Sequence, residues 1–146
     1  MKPTDQEFLH DPAAGVFGDC MRACIASVLE LPREDVPHFL ATNPGENECE
    51  RAINTWLAQH GLYLFTVSYD SFLSYLECNP GLNIYHLIYG PSPRSGVGLH
   101  AVVGRNGEIA HDPHPSRDAL LSDVDNPWTV GLFGAACPVV PEATKP

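Results

Sequence analysis

The sequence predicts an α+β domain in which N-terminal helices pack on an antiparallel β-sheet. Two observations lead there. Helical patterning is concentrated in residues 19–61, and β-rich runs dominate after that without helices alternating regularly between them. One of the later runs carries Asn106-Gly107 between two apolar stretches, the strongest short signal for a hairpin and so for antiparallel pairing.

The elements follow in chain order. Residues 1–17 read as irregular, with "DPAAG" (11–15) as a turn. Residues 19–31 read as a helix with Asp19 at its N-cap, and Pro32 stops it. "PREDVPHF" reads as a short helical turn with Pro32 at its first position. Residues 46–61 are the clearest amphipathic helix: Ala52, Ile53, Trp56 and Leu57 form its stripe and Gly61 its stop. Residues 62–69 read as a strand, 70–78 as a short helix capped by Asp70 or Ser71, and 82–90 as a strand. Residues 98–113 read as strand, turn at Arg105-Asn106-Gly107, and strand; 128–140 is expected to close the sheet.

The 146 residues suit one domain, 1–146, with 141–146 as a frayed tail. A hydrophobic share of 44% against 18% charged residues favours a globular fold over disorder. The net charge is −10 and the eight Lys and Arg are scattered, so nucleic acid is not an expected partner. No apolar run approaches membrane-spanning length and "MKPTDQEFLH" does not read as a signal peptide, so a cytoplasmic protein without membrane attachment is expected. Five cysteines without a secretory signal argue against a disulfide framework, and their spacing misses the paired CxxC of structural zinc sites. Neither a cofactor nor a metal is expected.

The chemistry concentrates in two stretches. In "GDCMRACIASVLEL" (18–31), Cys20 would be the first helical residue, beside free backbone N–H groups. A helix N-terminus favours the thiolate form of a cysteine, and its N–H groups can serve a developing oxyanion. Cys24, one turn further in beside Ala23 and Ile25, is expected in the core. A thiol nucleophile needs a base and the base an orienting group. "LHAVVGRNGEIAHDPHPS" supplies both: a tight turn near 106 pairs positions whose numbers sum to about 212 or 213, so His100 falls opposite or beside Asp112. Strands about 4.8 Å apart let that carboxylate hold the imidazole. Alternation puts His111 on the opposite face, structural or exposed, while His114 between two prolines is able to line a site. His38, His60 and His86 read as ordinary surface or core residues. A metal reading would gather His100, Asp112, His114 and Cys20, a set without a recognisable ligand spacing.

These stretches resemble a known group. "GDCMRACIASVLEL" resembles the nucleophile helix of papain-like cysteine peptidases, in particular the double-glycine leader peptidase domains of bacteriocin exporters. "LHAVVG…AHDP" resembles the same group's histidine strand, followed one hairpin later by Asp-Pro. Small uncharacterised papain-like proteins of bacteria and their phages resemble the chain over "GDCMRACIASVLELPREDVPHF" and "GPSPRSGVGLHAVVGRNGEIAHDPHPS", about a third of its length. The resemblance implies a papain-like fold and the order Cys20, His100, Asp112 as nucleophile, general base and acid, and orienter. It implies hydrolysis of a peptide or isopeptide bond in a peptide or protein substrate through a thioester. It also marks a departure. Such enzymes usually place an oxyanion-donating Gln shortly before the nucleophile, whereas here Gln6 and His10 are the candidates, His10 standing where phage-type relatives carry the Gln. Two other functions fit the same residues: an acyltransferase or amidase on the same triad, and a non-catalytic interaction protein that keeps the fold. Thiol reactivity separates the enzymes from the third, and acceptor dependence separates the first two.

Overall fold

The computed structural model describes residues 1–94, 98–122, 125 and 127–136, with Glu46 described by its backbone alone. Its architecture is α+β, as the sequence predicts. The described residues form four α-helices, α1 (Cys20–Leu29), α2 (Phe39–Thr42), α3 (Glu46–Ala58) and α4 (Tyr69–Cys78). Five strands, β1 (Leu62–Ser68), β2 (Tyr85–Pro91), β3 (Leu99–Arg105), β4 (Glu108–His111) and β5 (Thr129–Ala135), join in one sheet of order β1-β5-β2-β3-β4. Every neighbouring pair is antiparallel. Residues 141–146, and with them the expected frayed tail, lie outside the described residues.

Three expectations are corrected. β5 does not close the sheet at an edge; it is inserted between β1 and β2, pairing Val130 with Val67 on one side and Ile88 on the other. Val130, at the paired centre of the strand, is fully buried. The cap of α4 is Ser68, whose hydroxyl accepts from the Ser71 N–H, rather than Asp70 or Ser71. Asp19 stands at the N-cap position of α1, but its side chain makes no capping bond. It accepts instead from the Glu7 and Phe8 N–H groups, each at 2.9 Å, and pairs with Arg22. Two aligned backbone donors and a cation satisfy this buried carboxylate better than one turn of its own helix could.

α1 lies against β3 through small side chains. Ala23, Cys24 and Ala26 are buried on the helix and Ala101 on the strand, so the helix axis comes close enough for the Cys24 thiol to reach the Ala101 carbonyl at 3.4 Å. Ile25, Leu57, Leu87 and Val103 fill the surrounding core, each contributing about 1.5–3 kcal/mol by burial. This packing sets the N-terminus of α1 over the start of β3.

The β3–β4 hairpin is fixed at its tip. Asn106 and Gly107 take φ of 51° and 86°, the paired left-handed conformation a two-residue primed turn requires. The Asn106 side chain accepts from the Ile84 N–H at 2.9 Å, and the Gly107 N–H donates to Nε2 of the buried His86 at 3.0 Å. Gly104 is obligatory beside that ring, because a Cβ there would sit 2.2 Å from His86 Cε1. Burial holds His86 below the usual histidine range, so it stays neutral and can accept.

Candidate active site

The hairpin brings His100 and Asp112 together, with one refinement of the expected register. Arg105 pairs with Glu108 and Gly104 with Ile109, but an irregularity between Val103 and Gly104 shifts the ladder so that Val103 faces His111. Asp112 therefore follows the last paired residue and curls inward. His100 Nε2 donates to Asp112 Oδ1 at 2.8 Å, and both side chains are almost fully buried.

The loop after β4 is built around that carboxylate. Oδ1 also accepts from the His114 N–H at 2.9 Å; Oδ2 accepts from the Ala119 N–H at 2.9 Å and from Arg94 Nη2 at 3.1 Å. Arg117 and Ala119 take φ of 57° and 58°, a left-handed conformation that costs a non-glycine residue about 1–2 kcal/mol. That strain is spent on aiming the Ala119 N–H at the carboxylate. Burial alone would push Asp112 up, but the hydrogen bonds from His100, His114 and Ala119 outweigh it and hold it well below the usual carboxylate range.

Cys20, the first residue of α1, interacts with the His100 ring and lines the same two cavities. With Nε2 given to Asp112, Nδ1 is the nitrogen left for the sulfur. Burial works against charge on His100, but hydrogen bonding to Asp112 and Cys20 and the charge of both outweigh it and raise the imidazolium to about 9. Cys24 is fully buried and its thiol is pushed up by that burial. Cys24 thus lies in the core as expected, while Cys20 is partly exposed.

Cys20 and His100 line two cavities. One, of about 510 Å³, is walled by Met21, Phe39, Ile53, Leu64 and Tyr89. The other, of about 470 Å³, is walled by Gln6, His10, Arg94 and His114. Both oxyanion candidates therefore line a cavity that Cys20 also lines. Gln6 is buried, and its Nε2 donates to the Phe8 carbonyl at 2.7 Å. His10 is brought in by the expected turn: Asp11 caps a 3₁₀ turn at Pro12–Ala14, Gly15 takes φ of 69°, and Asp11 pairs with Val16. The Gly18 N–H then donates to His10 Nδ1 at 3.3 Å, which leaves the ring's proton on Nε2. His111 is structural, bonded through Nε2 to the Thr4 carbonyl at 3.1 Å. His114 meets His100 edge-on and is lowered by burial and by Arg94.

Sequence reasoning missed Arg94 and the backbone donors of 114 and 119. Arg94 stands in the "GPSPR" stretch, where only its proximity in space gives it meaning. Among the described residues no group of three or more His, Cys, Asp or Glu is placed to hold a metal, and no helix is long and apolar enough to cross a membrane. No protein-family model, curated protein or solved structure matches the chain.

Proposed function

We propose that this chain is a papain-like cysteine hydrolase that cleaves a peptide or isopeptide bond of a peptide or protein substrate by acyl transfer. The observation that carries the reading is the alignment of Asp112, His100 and Cys20, with the sulfur at the first turn of α1. The Cys20 thiolate attacks the acyl carbonyl, and the oxyanion is met by the Cys20 backbone N–H and the Nε2–H of His10. The tetrahedral intermediate collapses as His100 gives its proton to the departing amine, leaving a thioester on Cys20. His100 then takes a proton from water, which attacks the thioester, and the acid leaves as the sulfur is released with its partner imidazolium restored. Asp112 keeps its charge throughout and holds the ring in the useful orientation.

Thiol alkylation tests the reading directly. Iodoacetamide at neutral pH should modify Cys20 at least about tenfold faster than any other cysteine, because a helix N-terminus and an imidazolium partner favour the reactive thiolate. Peptide mapping against time separates it from buried Cys24, half-buried Cys49, exposed Cys78 and Cys137, the last outside the described residues. Labelling of exposed Cys78 as fast as Cys20 would remove the chief support for an enzyme.

A further inference from the structure

Arg94 has no part in the mechanism just given, yet its guanidinium is committed to the orienting carboxylate. Nη2 bridges Asp112 Oδ2 and the Ser116 hydroxyl, each at 3.1 Å. The arginine's own backbone N–H donates to the Ser92 hydroxyl at 3.2 Å, and Ser92 is buried. The side chain is only 16% exposed, which makes this a fixed ion pair and not a screened surface one. We infer that Arg94 is a positioning residue for the acyl transfer: it takes up part of the Asp112 charge and so limits how tightly His100 holds its proton. The inference rests on the proposed hydrolase reading.

A carboxylate with a full unshared charge against an imidazolium makes that proton hard to release, and His100 must release it to the departing amine in each cycle. Oδ1 faces His100 while Oδ2 faces Arg94, so the arginine draws on the oxygen that the histidine does not use. The backbone N–H groups of 114 and 119 keep the carboxylate in place on their own. Arg94 is therefore free to act by charge. Among the described residues the other titratable groups around the pair are Cys20 and Cys24 on α1, His10 across the shared cavity, and His114, Arg117 and Asp118 on the loop after β4.

The test is the pH dependence of Cys20 alkylation in the full chain, with the His100 ring titrated by NMR alongside. Arg94→Met keeps the bulk and removes the charge. It should raise the His100 pKa, and with it the upper limb of the alkylation profile, by about one pH unit. Arg94→Lys, which keeps a cation there, should restore most of the shift. An Arg94→Met protein that is folded and whose His100 titrates unchanged or lower overturns the inference; a lower value would mean that Arg94 merely held Asp112 in place. Ser116→Ala, which removes a neutral partner of the guanidinium, gives a second and milder variant and should move the value in the same direction by less. The NMR titration reads His100 whether or not Cys20 is reactive, so failure here and failure of the hydrolase reading are told apart.

Discussion

Asp112→Asn should leave a folded protein whose Cys20-dependent cleavage of an amide substrate is about 10³–10⁴-fold slower in kcat. The donors around this residue give the reason. Both carboxylate oxygens already receive hydrogen bonds, Oδ1 from His100 and the His114 N–H, Oδ2 from Arg94 and the Ala119 N–H. An asparagine amide must turn its NH₂ toward one of these pairs. Facing Arg94 and Ala119, it sets donor against donor and exposes His100 to an uncompensated cation. Facing His100, it demands the wrong ring tautomer, with the proton on the nitrogen that should receive one from the thiol. Either arrangement leaves buried donors unpaired, so a stability loss of about 1–3 kcal/mol should accompany the kinetic one. Turnover measured with a thermal melt on the same sample separates the two effects. Activity equal to that of the unmodified chain would make Asp112 a loop former and assign the orienting role elsewhere.

His10→Ala should lower kcat by about 100-fold or more with little change in KM, the signature of a donor that acts on the transition state. The Gly18 N–H fixes the tautomer of His10, and the ring walls the cavity that also holds Cys20. A side chain at Gly18 would be tight, because a Cβ would stand 3.1 Å from both the Cβ and the backbone nitrogen of His10. The histidine is thus pressed against the turn that leads into the nucleophile helix. His10→Gln should retain activity or raise it, since an amide N–H supplies the same donor. If neither change affects turnover, Gln6 and the Cys20 backbone N–H are the remaining donors.

The parts of this site carried by local patterns were legible in the sequence. Asn106-Gly107 announces a turn through the backbone conformation it permits, and the hairpin it closes brings His100 near Asp112, whereas the helix expected to run to Gly61 ends earlier, at Ala58. The position of Cys20 at the start of α1 follows from Asp19 and the helix-compatible residues after it. What the sequence hides is long-range. Asp19 looks like a cap, but the chain from residue 7 returns to claim it, over a separation that no local rule reads. β5 belongs between β1 and β2 because its backbone pairs along both edges, and order along the chain does not reveal that. Arg94 is eighteen residues from Asp112, a separation that no local pattern spans, and the two meet only in the folded chain.

Whether Cys20 carries an acyl group with the help of His100 is decided by an acid-quenched reaction with p-nitrophenyl acetate, because an activated ester acylates a competent thiol without the natural substrate. A burst of p-nitrophenolate approaching one equivalent per chain is expected, with an acetyl group mapped to Cys20 and removed by hydroxylamine, and a much slower burst in His100→Ala. Acetylation spread over lysines, or a Cys20 adduct forming at the same rate without His100, would contradict it.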